Sequence, residues 1–549
     1  MKPISYLSAA VLTLLLSCQS ETNSIVNNEQ ENFFSWDSAT VYFLLTDRFH
    51  RGDSESSRTQ EYKETAVLRG FEGGNFAGIT QKINEGYFSD LGIDAIWLSP
   101  FVEQNYDSTD EGTGETYAYH GYWTRDWTAL EPNFGNTQDL QQMIKAAHHG
   151  GIRIVMDAVL NHTGPVTPID FKWPDDWVRT DPSCNFQDYA GTTSCTLVAN
   201  LPDILTDSEN EVALPAFLVE KWKNEGRYEQ EVIELNAFFE RTKHPRTPSY
   251  YIVKWLTDYI KEFGINAFRV DTTKHTDEYI WADLKKEAEY SFEYYKQQNE
   301  DYQFENEPFY MVGEVYGYET SKGKDYNFGD RSVNYFDFGY DALINFEFKN
   351  DTKNDYESLF SKYDELLHDK GQYGGFLNYL QSHDDAYSFD VSRTQPIKTA
   401  NALLLSPGAI QIYYGDESAR PLQIEGAVGD ANLRSNMNWE SIEKDANTQK
   451  ILKHWKKLGA FRKNHKKSLA LGKHQQISSS PYYFSRSTKE EKVIIGLEIK
   501  EKRKNIVLND MALEKSKWRD AYSAIEAEVI DGVLSFETDF ETVLLERIR

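Results

Sequence analysis

Three stretches of the chain share one rhythm: LGIDAIWLSP from Leu91, GGIRIVMDAVLNH from Gly150 and FGINAFRVD from Phe263. Each follows a segment with helical spacing. Each has a Gly-Ile pair (Gly92, Gly151, Gly264), then a short apolar run, then a polar residue. Glycine suits the left-handed position that ends a helix, and a short apolar run bounded this way reads as a buried parallel strand. Further strands are expected in VYFLLTDRF (41–49), FYMVGEVYG (309–317), GGFLNYLQSHDD (374–385) and AIQIYYGDE (409–417), and an eighth within VNYFDFGY (333–340). Helical stretches such as YYIVKWLTDYIKEF (250–263) and IKTANALLL (397–405) lie between them. The pattern predicts an α/β fold, a (β/α)8 or TIM-type barrel, in which chemistry sits at the C-terminal strand ends. Asp157, Asp271, Glu314 and the pair His383-Asp384 fall at those ends.

Two departures set the domain plan. About 90 residues between Asp157 and the helix near Tyr250 exceed any simple loop, so residues 158–249 are expected to form an inserted subdomain after strand 3. Beyond the helical NTQKILKHWKKLGAFRKNHKK (447–467), short alternating stretches such as PYYFSRS, KVIIGLEI and KNIVLND predict a C-terminal antiparallel β-sandwich domain over 468–549. The barrel is then assembled from 36–157 and 250–467.

The N-terminus reads as a targeting segment. Lys2 precedes an apolar run, Ile4 to Leu16, too short to span a bilayer. The run LLSC ending at Cys18 resembles a bacterial lipoprotein signal (1–18), with a lipid anchor on Cys18; an ordinary cleaved signal peptide is the alternative. A polar tether follows over 19–35. This places the chain in a bacterial cell envelope, periplasmic or at the cell surface, or else secreted. The only other cysteines, Cys184 and Cys195, are 11 apart; an exported protein can oxidise them to a disulfide, or they stay as two thiols.

With 87 acidic and 58 basic residues the formal charge is −29, which disfavours nucleic acid and anionic membrane surfaces as partners. A neutral sugar polymer is compatible, and a monomer is expected. No HExxH zinc pattern, phosphate-cradling glycine loop or convincing Ser-His-Asp order is present.

Strand side chains alternate between faces, so Arg269 and Asp271 both point into the barrel. The cation favours the ionised form of Asp271, a ready nucleophile; a purely structural ion pair is the alternative. Glu314, among apolar neighbours, suits a general acid. With Asp384 these make three carboxyls on three strand ends, which glycosidic cleavage can use as nucleophile, acid/base and charge stabiliser.

Four ordered motifs, DAVLNH (157–162), FRVDTTKH (268–275), GEVY (313–316) and LQSHDD (380–385), resemble the signature regions of glycoside hydrolase family 13, the α-amylase family. The stretch LPDI (201–204) resembles a fifth motif, with Ile204-Leu205 as a mild departure, and ALPAFLVEKWKNEGRY (213–228) is similar to exported bacterial α-amylases. The resemblance implies Asp271 as nucleophile, Glu314 as acid/base and Asp384 as transition-state stabiliser. It implies that Arg269 positions Asp271, that His162 and His383 bind sugar hydroxyls, and that Tyr122 and Trp123 of GYW contact the cleaved sugar. Asp430 and Arg434 of GDANLR would touch sugar, as would Lys274 on the leaving-group side. Asn161, Asp203 and the backbone carbonyl of His275 would hold a structural Ca²⁺, whose oxygen ligands suit that ion. A further ligand would come from Asp170, Asp175, Asp176 or Asp188. The acidic loop 47–55 is a weaker candidate for a second cation.

The implied activity is retaining endo-hydrolysis of α-1,4-glucosidic bonds in starch and maltooligosaccharides. Alternatives are a maltogenic or exo-acting glucosidase or a glucan transglycosylase of the same family. A non-catalytic starch-binding lipoprotein is the distant alternative.

Overall fold

Eight short parallel strands close on themselves in a computed structural model that describes residues 33–54, 62–300, 302–508 and 513–548. In chain order they are β1 (Thr40–Leu44), β2 (Ala95–Leu98), β3 (Arg153–Ala158), β4 (Ala267–Val270), β5 (Tyr310–Gly313), β6 (Ala342–Asn345), β7 (Phe376–Tyr379) and β8 (Ala409–Tyr413). Each pairs with its neighbour in sequence and β8 returns to β1, so the sheet is a closed (β/α)8 barrel with no edge. The strands are buried on both faces, which is why they read as continuous apolar runs and not as alternating ones.

The Gly-Ile rhythm marks real junctions. Gly264 ends the helix Pro248–Phe263 at φ 74°, in the left-handed region, and β4 begins three residues later. A Cβ there would lie 2.2 Å from the Tyr295 ring, so glycine is required by space as well as conformation.

One strand lies elsewhere than the sequence pattern indicated. Within 333–340, residues Tyr335–Phe338 form a 3-10 turn and Gly339 takes φ 93°, which breaks the extended chain. The sixth strand is Ala342–Asn345, just beyond that break. The aromatic density of the earlier stretch serves packing: Tyr335 is fully buried and meets Tyr340 edge-on at 6.0 Å. No long helix joins β5 to β6 among the described residues. A small hairpin, Asp325–Asn327 with Ser332–Asn334, stands there between 3-10 turns.

Between β3 and the helix Pro248–Phe263 a long segment leaves the barrel. It contains the strand pair Val178–Arg179 and Asp203–Ile204 and the helices Ala216–Asn224 and Tyr228–Thr242. Cys184 and Cys195 form a disulfide. Past the helix Ala446–Asn464, eight antiparallel strands from Lys473 to Ile548 fold over one core that includes Tyr483, Ile494, Trp518, Val529, Leu534 and Leu545. His474 on the first of these strands meets Glu357 of the barrel helix Tyr356–His368 at 2.9 Å. Residues Ser35–Arg549 make one compact unit. Cys18, the lipoprotein-type segment 1–18 and nearly all of the tether lie outside the described residues.

Candidate active site

The C-terminal mouth of the barrel gathers the predicted carboxyls around one cation. Arg269 is the third residue of β4, pairs in register with Asp157 of β3, and is 1% exposed. Its Nη1 meets Asp157 Oδ1 at 2.8 Å and Asp271 Oδ1 at 2.7 Å, and its Nη2 meets Glu314 Oε2 at 2.9 Å. A guanidinium presents donors in a fixed planar fork, which sets the spacing of the groups it grips. The ladder continues past the strand ends: the N–H of Asp271 donates to Ala158 O (3.1 Å) and that of Glu314 to Val270 O (2.9 Å).

Between the two carboxyls the backbone is strained. Thr272 sits at φ 49°, unusual for a β-branched residue, and its N–H donates to Glu314 Oε2 at 3.2 Å. Burial pushes the Glu314 carboxyl up from 4.5 to about 8; Arg269 opposes this, while Asp271 and Asp384 add to it. At neutral pH Glu314 therefore holds a proton beside an Asp271 that faces the guanidinium.

Asp384 lies on the turn after β7, on the other side of the mouth. Arg434 Nη2 reaches its Oδ1 at 2.6 Å and His383 Nε2 its Oδ2 at 2.7 Å. Burial works against its charge, but His383 and Arg434 overcome it and hold the carboxyl well below the usual carboxylate range. Arg434 in turn is held by Asp430, whose Oδ2 lies 2.7 Å from Nη1, and Asp430 also meets Arg69 at 2.7 Å.

Tyr122 occupies the floor between these groups. Its hydroxyl donates to Asp157 Oδ2 at 2.7 Å, and its ring stacks on His383 at 5.1 Å and 6°. His162 Nε2 is 3.0 Å from the Tyr122 carbonyl. Trp123 is buried and edge-on to His120 at 5.0 Å. Lys274 donates to Tyr316 O and to the Tyr326 hydroxyl, each at 3.0 Å, and so ties the β4 end to the hairpin that replaces the fifth helix.

Two contributors escaped sequence reasoning. His120 accepts the Tyr122 N–H through Nδ1 at 3.0 Å, and burial, reinforced by Arg434, holds its imidazole well below its usual value. It stands in YHGYW beside the quoted GYW, but a lone histidine before an aromatic run carries no chemical signature. Trp97 of β2 donates to Asp157 Oδ2 at 3.0 Å and lies under the Arg269 guanidinium at 5.0 Å. β2 pairs in register with β3, Trp97 opposite Val155, and this sets the indole beside Asp157.

Beside the mouth, Asn161 Nδ2 donates to Asp203 Oδ2 at 3.1 Å, and Thr276 Oγ1 donates to Asn161 Oδ1 at 3.2 Å. Asp203 Oδ1 is buried without a hydrogen-bond partner, and burial pushes this carboxyl up to about 6. His275 is neutral, its pKa lowered to about 4 by burial, with Nδ1 3.1 Å from Thr192 O. Among the described residues no three His, Cys, Asp or Glu side chains stand together as a metal site. Asp170 is occupied by the amides of Tyr106 and Asp107, and Asp188 by that of Gly191. In the 47–54 stretch Asp47 is taken by Arg48 and the amides of Glu72 and Gly73.

This geometry has close counterparts. The family model described as "Alpha amylase, catalytic domain" matches residues 43–450. The periplasmic alpha-amylase of Escherichia coli (strain K12) is 32% identical over 523 residues, covering 84% of this chain and 72% of that protein. The chain belongs to the α-amylase family. Membership makes it an α-amylase-family hydrolase. A cyclomaltodextrin glucanotransferase of Niallia circulans is 27% identical, covering 87% of this chain and 60% of its own length. Among solved structures, an Anoxybacillus alpha-amylase superposes with a TM-score of 0.66 at 20% identity, covering 94% of this chain and all of that one. A three-domain cyclomaltodextrin glucanotransferase superposes at 0.65 and 18%. These two show the shared fold.

Proposed function

We propose that this α-amylase-family enzyme is an exported, retaining endo-hydrolase of α-1,4-glucosidic bonds in starch and maltooligosaccharides. The observation that carries the reading is the single Arg269 guanidinium gripping both Asp271 and Glu314, with the Glu314 carboxyl kept protonated by burial. Retention needs two carboxyls about 5–5.5 Å apart, one nucleophilic and one acidic. A shared guanidinium favours that short span over the wider one that inversion needs.

In the first half-reaction Asp271 attacks the anomeric carbon while Glu314 gives its proton to the departing glycosidic oxygen. The product is a glycosyl ester on Asp271 and a shortened chain with a free hydroxyl. In the second, Glu314, now ionised, takes a proton from water as that water attacks the same carbon, and Asp271 leaves as a carboxylate. Asp384, kept anionic by Arg434, faces the positive charge that builds on the ring. Tyr122 supplies an aromatic face under the sugar, and His162 and His383 donate to its hydroxyls. Lys274 would meet the leaving-group side.

A Ca²⁺ held by Asn161, Asp203 and the His275 carbonyl would tie the inserted segment to the barrel. The unpartnered, buried Asp203 Oδ1 supports this, because a cation would satisfy it. The division into a barrel, a subdomain over 158–249 and a β domain from 468, the export signal with a lipid on Cys18, and a monomeric state belong to the same proposal. The named location of the periplasmic relative supports export.

Transglycosylation is the second reading, favoured by the similarity to glucanotransferases. Chromatography of products from soluble starch separates the two. Mixed linear maltooligosaccharides support hydrolysis, and cyclic or elongated products replace it with transfer. Absence of any new reducing ends from the wild type would overturn the reading.

A further inference from the structure

The turn after β7 holds two residues that the steps above leave unused. Asp385, 3% exposed, receives hydrogen bonds at Oδ2 from Lys349 Nζ and from the Tyr379 hydroxyl (2.7 Å), and at Oδ1 from the Tyr387 N–H (2.9 Å). Lys349 follows β6 and Tyr379 ends β7, so one carboxylate pins the turn to two neighbouring strands. The Asp385 carbonyl also accepts from Ser388 Oγ (2.5 Å) and Ser388 N (3.2 Å), and Phe389 N donates back to Leu380 O (3.0 Å). These polar groups of the turn are engaged inward.

Tyr387 is the exception. It is 83% exposed, more than any other exposed large hydrophobic side chain among the described residues, while its backbone N–H is held by Asp385. It lies three residues from Asp384. Nearby, Tyr316 is 53% exposed and leans on Phe346 at 5.0 Å, which in turn meets Tyr379 edge-on at 5.5 Å. Burial raises the Tyr316 hydroxyl pKa, and Asp385, Asp384, Glu314 and Tyr387 add to it. A rigid turn that holds an aromatic ring in water gains from a partner with an apolar face and no charge. Carboxyls at the mouth exclude an anion, and a pyranose ring meets both conditions.

We propose that Tyr387 is a specificity-determining residue whose ring stacks on a glucose unit of the α-glucan at the rim of the cleft, with Asp385 as the positioning residue that fixes both Tyr387 and Asp384. The proposal rests on the α-glucan reading of the site. Asp385 acts only through its neighbours.

The test uses the full chain and maltooligosaccharides of three to seven units. Tyr387→Ala is expected to raise KM for the longest substrates about fivefold to tenfold, the size of one aromatic contact, with a smaller effect on the shortest, and Tyr387→Trp is expected to restore it. Affinity for the seven-unit sugar, measured by calorimetry in a Glu314→Gln background, should fall by the same factor. Asp385→Asn should also raise KM and, through Asp384, lower kcat, and its effect on KM should add less than fully to that of Tyr387→Ala in the double variant. If the wild type cleaves α-glucans but Tyr387→Ala moves neither KM nor affinity, the stacking role is overturned. If the two substitutions add fully, the positioning role of Asp385 is overturned. Failure of the wild type to cleave any α-glucan would instead strike the functional reading beneath both.

Discussion

Nη1 of Arg269 lies 2.7 Å from Oδ1 of Asp271, two positions further along the chain at the end of the same strand. The alternation of a β-strand puts both on the lumen side, and the guanidinium then reaches Glu314 on the next strand at 2.9 Å. The proposed nucleophile and acid are thereby set by one guanidinium.

Removing the acid tests that arrangement directly. Glu314→Gln should lower kcat/KM on starch by about 10²–10⁴-fold, the usual worth of a positioned general acid, as read by reducing-sugar release. The fold should survive, because an amide avoids the cost of a buried charge.

The same carboxyl should mark the pH dependence. Its folded value of about 8 exceeds its ordinary 4.5, so the folded state holds the proton more tightly. Its contribution to stability is then fully present below about 4.5 and is lost as pH rises through about 8. Activity should fall above about pH 8 as the acid ionises. Denaturant melts at several pH values should show a shallower decline for Glu314→Gln than for wild type over that window; identical slopes would count against the raised value.

Arg434 bridges Asp384 and Asp430 while its Nε donates to His383 O at 3.2 Å. Lysine cannot reproduce this three-way fork. Arg434→Lys should reduce kcat/KM about tenfold by releasing Asp384, and unchanged kinetics would show that Asp384 holds its place alone.

Calcium should act through Asp203. Adding the ion to chelator-treated protein should raise the melting temperature, with stabilisation of about 2.7 kcal/mol at a hundredfold excess over Kd. Asp203→Asn should abolish the shift. A wild-type melting temperature indifferent to both chelator and ion would remove Ca²⁺ from the proposal.

Away from the site, Arg462 is fully buried and donates to the carbonyls of Leu404 (3.1 Å), Ser406 (2.8 Å) and Gly408 (2.5 Å), the turn that leads into β8. Arg462→Met would strand those carbonyls. At about 1–3 kcal/mol for each buried unsatisfied group, stability should drop by at least about 3 kcal/mol, visible as a lower urea midpoint.

Local pattern determined much of this protein. Apolar runs behind Gly92, Gly151 and Gly264 marked barrel strands because strands buried on both faces must be apolar throughout, and the strand-end positions of Asp271 and Glu314 followed from the same runs. Tertiary structure decided what local pattern could not. The sixth strand lay past Gly339, because aromatic residues packed in a turn and residues in a strand look alike until a left-handed glycine interrupts them. His120 and Trp97 joined the site only through tertiary packing, which sets side chains from distant segments on one floor. Asp385 and Tyr387, adjacent in sequence to a recognised motif, acquired opposite fates, one carboxylate drawn inward by Lys349 and Tyr379 and one ring held out at the rim, and only the fold around β6 and β7 supplies the partners that make that difference.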